Sequence, residues 1–133
     1  MRVKFTVSGE PKGKGRPRFF KNKVYTPVET KQYENLIRYE YEQQTGNKYL
    51  NGYLKLDIKA YYSIAKSDTK KVKEAKLKNE IRPTKKPDID NIVKMIDALN
   101  NIAFKDDSQI LEITAKKYFS DNPRVEFILE EIS

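Results

Sequence analysis

Val3, Phe5 and Val7 alternate with polar residues across residues 2–8, RVKFTVS, which is the period-two pattern of a half-buried strand. Gly and Pro then break regular structure through residue 27, and Phe19-Phe20 and Val24-Tyr25 flank Lys-Asn-Lys as the arms of a short hairpin. From 28 to 44 the period changes. Tyr33, Leu36, Ile37 and Tyr41 recur at helical spacing, with Thr26 as the expected cap, Pro27 at the first helical position and Gly46 as the stop. Leu54, Leu56 and Ile58 alternate within a long strand over 53–64. A thin apolar set, Val72, Ala75 and Leu77, predicts a surface helix over 68–80, with Asp68 near its cap and Pro83 beyond its end.

Ile92, Val93, Ile96 and Leu99 then give a core-facing helix from about Asp90 to Asn100. Residues 109–119 and 124–132 read as strands, and Ser120-Asp121-Asn122-Pro123 between them reads as a turn, so the two are expected to pair as a hairpin. The order is strand, hairpin, helix, strand, helix, helix, strand, strand. It predicts one α+β domain over 1–133, with a mixed β-sheet and helices packed against it.

Composition narrows the chemistry. The chain of 133 residues carries 27 Lys and Arg against 19 Asp and Glu, a net charge of +8, which draws it to polyanions such as nucleic acid. No apolar run approaches the ~20 residues of a membrane span. The N-terminus lacks an apolar signal region, so a cytoplasmic protein is expected. Nine Tyr and six Phe argue for a packed core over disorder. Cys and His are both absent, which excludes thiol nucleophiles, imidazole bases, Ser-His-Asp triads and the usual zinc sites. Catalysis on this chain would fall to carboxylates holding a hard cation such as Mg2+.

The candidate carboxylates lie in two places. In PDIDN (87–91), Asp88 and Asp90 stand two apart, and Lys94 and Asp97 follow at helical spacing on a polar face. In FKDDSQI (104–110), Asp106 and Asp107 stand between the helix and the next strand. If that strand lies beside the start of the helix, Asp107 can join Asp88 and Asp90, and a divalent cation would relieve their repulsion. By spacing alone, an Asp before a helix is a cap and an Asp-Asp pair in a loop is a turn. Their setting shifts the balance. They stand in a basic chain and directly follow its densest lysine cluster, in which residues 66–86 carry nine Lys or Arg and three acids.

The run KKPDIDNIVKMIDALNNIAFKDDSQI closely resembles the signature of the RusA-type Holliday-junction resolvases: Pro87, Asp88, Asp90, Asn91 and Lys94, then Asp97-Ala98-Leu99-Asn100, then Phe104 and Asp106-Asp107-Ser108-Gln109. The opening GEPKGKGRPR is similar to the basic Pro-Arg segment that begins those proteins. The resemblance implies a phage or prophage endonuclease, a homodimer that resolves four-way DNA junctions by paired symmetric nicks in recombination and repair. It implies a requirement for Mg2+ or Mn2+, Asp88, Asp90 and Asp107 as metal-binding catalytic acids, and Lys94 as the essential lysine; Asp106 is the alternative to Asp107.

DNA contact is expected from Lys12, Lys14, Arg16 and Arg18, interleaved with Gly and Pro, and from Lys85 and Lys86. Lys70, Lys71, Lys73, Lys76 and Lys78 form a second basic face, for which a solvated helix surface is the simpler reading. Phe19 or Phe20 could stack on a splayed base. Two other functions fit the charge: a non-catalytic DNA-binding protein, which would bind better when Asp88 or Asp107 becomes Asn, and an inert basic scaffold, which would show no salt-dependent DNA affinity.

Overall fold

A computed structural model describes residues 1–132; Ser133, the last residue of the expected domain, lies outside the described residues. The elements are β1 (Arg2–Ser8), β2 (Arg18–Phe20), β3 (Lys23–Tyr25), α1 (Val28–Thr45), β4 (Leu54–Ser63), α2 (Lys70–Leu77), α3 (Ile89–Val93), a 3-10 helix (Lys94–Leu99), a second 3-10 turn (Asp107–Gln109), β5 (Ile110–Ser120) and β6 (Arg124–Glu131). Among the described residues, β1, β6, β4 and β5 lie in that order in one sheet, and β2–β3 form a separate hairpin. The sheet is mixed: β4 and β5 are parallel, and the other pairs are antiparallel. The α+β expectation holds.

The pairing of the last two strands differs from the sequence reading. Residues 110–120 and 124–131 are not a hairpin, because β4 lies between them, with Leu56 facing Ile113 on one side and Leu129 on the other. The turn at 121–123 therefore steps over the end of β4. β1, β4 and β6 bury every second residue on the covered face, whereas Leu111–Thr114 at the start of the edge strand β5 are all exposed.

One sheet face is covered. Val3, Phe5 and Val7, the even-numbered residues from Leu54 to Tyr62, and Val125, Phe127 and Leu129 meet Tyr33, Ile37 and Tyr41 of α1 and Met95, Ile96 and Leu99 of the 3-10 helix. Phe5 stacks on Phe127 at 4.8 Å and meets Tyr41 edge-on at 5.2 Å. The stripe of α1 is narrower than predicted. Thr30 joins it, while Leu36 is exposed. Pro27, not Thr26, occupies the cap position of α1 and supplies no side-chain cap; α2 is capped by Thr69, next to Asp68 as expected. Gly46 closes α1 in the left-handed conformation expected of it.

The predicted 90–100 helix is α-helical only to Val93 and winds as a 3-10 helix to Leu99. The cause is legible in the chain. Three residues per turn line up Ile92, Met95 and Ala98 in one buried row, Val93, Ile96 and Leu99 in a second, and Asn91, Lys94, Asp97 and Asn100 in a polar third. That winding sets the direction of the side chains described next.

Candidate active site and nucleic-acid interface

Asp88 stands at the N-cap of α3, where its carbonyl, not its carboxylate, receives the helical hydrogen bonds from Asn91 and Ile92. The carboxylate is thus left for other work, and Asp90 lies exposed in the first turn. Lys86 donates to Asp88 at 2.7 Å and holds its carboxyl below the usual carboxylate range, with charge from Lys86 and Lys117 adding to the effect. Lys94 stands 3.9 Å from Asp90, with both side chains well exposed. The loose contact leaves both groups available to a ligand. Asp88 and Asp90 face an open cleft of about 480 Å³ whose walls carry Lys14, Arg16, Lys86 and Lys94.

The basic loop is built onto this acidic segment. The Lys14 amide donates to the Asn91 carbonyl at 3.0 Å, and the Gly15 amide donates to the Thr30 hydroxyl at 2.9 Å. A Cβ at Gly13 would stand 2.8 Å from the Asn91 Cβ and 3.0 Å from the Pro87 Cβ, so only glycine admits this approach. The Lys14 ammonium is ion-paired with Asp97. Asp97 lies one 3-10 turn beyond Lys94 in the same polar row, and its carboxylate is taken up by the basic loop. The other Asp97 oxygen is buried with no hydrogen-bond partner among the described residues. Burial beneath the same loop drives the Tyr33 phenol well above its ordinary range.

The second acidic segment has a division of labour. Asp106 closes a capping box: its carboxylate accepts from the Ser108 amide at 3.0 Å, and its own amide donates to the Gln109 side chain at 3.0 Å. The Gln109 side chain also donates to the Gly52 carbonyl. Asp107 is tied by its backbone alone, its amide donating to the Asn100 side-chain oxygen at 2.9 Å. Among the described residues, its carboxylate has no ion pair or hydrogen bond.

Asp107 does not join Asp88 and Asp90 within the chain. Asn100 caps the C-terminal end of the helical segment that Asp88 begins, a contour of about 20 Å at ordinary helical rises. Among the described residues, no three His, Cys, Asp or Glu side chains gather closely enough to share a metal ion. The condition for that meeting, a strand that begins beside the start of the helix, is not met: β5 runs parallel to β4 from the far end and brings Lys117 near Asp88.

Of the expected DNA contacts, Lys12, Arg16, Arg18, Lys85 and Lys86 are exposed, whereas Lys14 is engaged by Asp97. On α2, Lys70, Lys71 and Lys78 are exposed, but Lys76 pairs with Asp68 and lies 4.4 Å from the centre of the Phe119 ring. Phe19 and Phe20 project into solvent from the β2–β3 hairpin, 76% and 64% exposed. Lys21 and Asn22 turn that hairpin with positive φ.

Two residues outside the motif reach the site. The Tyr62 hydroxyl donates to the Pro87 carbonyl at 2.6 Å, and the Lys117 ammonium donates to the Lys85 carbonyl at 2.8 Å. The signal for Lys117 was its register. It stands between Ala115 and Phe119, which pack against the core from the same side of β5, where lysine is out of place.

The sequence model described as endodeoxyribonuclease RusA matches residues 8–130. A protein of Bacillus subtilis (strain 168), named "Uncharacterized protein YqaN", is 39% identical over 138 residues, covering 98% of this chain and 97% of the relative.

Proposed function

Because the chain belongs to the endodeoxyribonuclease RusA family, we propose that it is a metal-dependent endonuclease that resolves four-way DNA junctions by paired symmetric nicks, in recombination and repair of bacterial or prophage DNA. The observation that carries this reading is the cleft in which Asp88 and Asp90 stand among Lys14, Arg16, Lys86 and Lys94. A carboxylate pair inside a basic wall suits a phosphodiester held beside a divalent ion.

The donor set fits a hard cation. Asp88 and Asp90 are oxygen donors at the rim of an open cleft, and Asp107 offers a third carboxylate with no partner among the described residues. Mg2+ held there, or Mn2+ in its place, would neutralise charge on the scissile phosphate and lower the pKa of a bound water. The chain's own groups do the rest. Arg16, Lys86 and Lys94 meet phosphate oxygens, and Lys94, adjacent to Asp90, is placed to stabilise the negative charge that develops on the phosphoryl oxygens. Lys12, Arg18 and Lys85 carry the DNA backbone away from the cut, and Phe19 and Phe20 are free to stack on an unpaired base.

A second copy of the chain supplies the acid that one chain keeps apart. Leu111 and Ile113 are 58% and 49% exposed on the edge strand, which follows the 3-10 turn that Asp107 begins. Arg82 covers only the upper part of that edge, through the Lys117 carbonyl. An open apolar edge of this kind favours strand pairing. Antiparallel pairing about Ile113 would bring the partner's Asp107 opposite the Lys117–Phe119 end of β5, beside Asp88. The functional unit is therefore a homodimer with two sites, as symmetric nicking requires.

The decisive assay presents purified protein with a labelled four-way junction and a linear duplex, with and without Mg2+, beside Asp90→Asn. Metal-dependent paired nicks confined to the junction and lost in the variant are expected. Failure to cut either DNA with any divalent metal overturns the proposal.

A further inference from the structure

The segment that carries Asp88 is held from beneath by two side chains of the sheet. Tyr62 lies at the upper end of β4 with its ring buried, and its hydroxyl donates to the Pro87 carbonyl at 2.6 Å. Burial and the charges of Asp88 and Glu10 push its pKa up to about 12, so the hydroxyl stays a donor at neutral pH. Lys117 rises from the neighbouring strand, donates to the Lys85 carbonyl at 2.8 Å, and sets its ammonium 4.9 Å from the centre of the Tyr62 ring. The two bonds bracket Lys86 and end one residue short of Asp88.

Lys86 is placed differently. Its side chain is 81% exposed and its pair with Asp88 lies in solvent, where such pairs contribute little and exchange readily. Lys117 is partly buried and fixed by a carbonyl and a ring face, so it remains when Lys86 moves.

We propose that Tyr62 and Lys117 are positioning residues, a clamp on the sheet that aims Asp88 at a divalent cation and leaves Lys86 free to pass from Asp88 to a DNA phosphate. The proposal rests on the metal-dependent reading above. It predicts a loss of metal affinity that simple charge arithmetic does not. Removing the Lys117 charge alone would tighten a neighbouring cation site, whereas removing the clamp loosens it.

The test measures Mn2+ affinity of the full-length protein without DNA, by electron paramagnetic resonance, for wild type, Tyr62→Phe, Lys117→Met and Lys117→Arg. Junction affinity without metal and the KM and kcat of cleavage are measured beside it. The clamp predicts Mn2+ binding about tenfold weaker in Tyr62→Phe and Lys117→Met, with kcat falling by a similar factor. Lys117→Arg recovers most of the loss, and metal-free junction affinity stays within about twofold. Unchanged Mn2+ affinity in Tyr62→Phe, or tighter binding in Lys117→Met, overturns the clamp. An equal loss of metal-free junction affinity also overturns it, by making Lys117 a phosphate contact. Should Tyr62→Phe fail to fold by circular dichroism, the partly exposed Lys117 pair decides alone. A wild type that binds Mn2+ while the variants are indifferent sinks the clamp only. A wild type that neither binds Mn2+ nor cuts a junction sinks the metal-dependent reading and the clamp with it.

Discussion

The ammonium of Lys14 rests on the carboxylate of Asp97, 83 positions along the chain, and this pair joins the basic loop to the helix that carries Asp88 and Asp90. Lys14 is therefore a structural cation first. Each phosphate contact contributes to the salt dependence of DNA binding. Arg16→Ala is expected to reduce the slope of log affinity against log salt by about one contact, while Lys14→Ala leaves it nearly unchanged. Lys14→Ala should instead lower stability by about 1 kcal/mol, because it strands the half-buried Asp97 carboxylate. Anisotropy titrations across a KCl series and a thermal melt measure the two effects. An equal loss of slope in both variants would place Lys14 on the DNA.

Gly13 is the point where the loop touches the acidic segment most closely. A methyl group there meets Asn91 and Pro87 at 2.8 and 3.0 Å, and both neighbours are held, Asn91 by its bond from Lys14 and Pro87 by its bond from Tyr62. Gly13→Ala should cost about 1–3 kcal/mol of stability or lift the loop away. In either case cleavage falls, although no charged group has been removed. A variant with wild-type melting temperature and wild-type cleavage would show that the loop is not seated as described.

How far the sequence carries depends on which residues are asked. Strict alternation placed β1 and β4, and the stripe of Tyr33, Ile37 and Tyr41 placed α1, because each pattern has one face to bury. The order of strands in the sheet was not legible. A four-residue turn between two strands reads as a hairpin, and only the exposure of Leu111 and Ile113 marks β5 as an edge beyond β4. The acids themselves were legible as a motif, but not their spacing in space. The period-three polar row Asn91, Lys94, Asp97 and Asn100 is the sign of 3-10 winding in the sequence. The partners of Tyr62 and Lys117 are backbone carbonyls, which leave no trace in composition, so only the register of Lys117 on β5 pointed to it.

The exposed apolar edge predicts the assembly. Ile113→Lys places a charge at the centre of the proposed two-fold pairing, where the partner would set a like charge opposite. Sedimentation is expected to show a dimer for wild type and a monomer for the variant, with junction cleavage lost in parallel and the melting temperature little changed. A variant that stays dimeric would move the interface elsewhere, and one that cuts normally as a monomer would remove the need for a partner's acid.

Asp106 and Asp107 are neighbours whose substitution should have opposite signatures. The Asp106 carboxylate is engaged by Ser108, which holds it below the usual carboxylate range, while the Asp107 carboxylate has no partner among the described residues. Asp107→Asn should leave the melting temperature unchanged or slightly raised and abolish cleavage. Asp106→Ala should lower the melting temperature and spare the binding of Mn2+. The pH dependence follows from the direction of the shift. A carboxyl depressed in the folded state contributes stability that is full above its unfolded pKa of about 3.9 and is lost as pH falls through the lower folded value. The difference in melting temperature between wild type and Asp106→Ala should therefore be largest near neutral pH and shrink below about pH 4. A difference that persists unchanged into acid would mean that the cap does not need its charge. Loss of cleavage in Asp106→Ala with Asp107→Asn still active would reverse the assignment of the third acid.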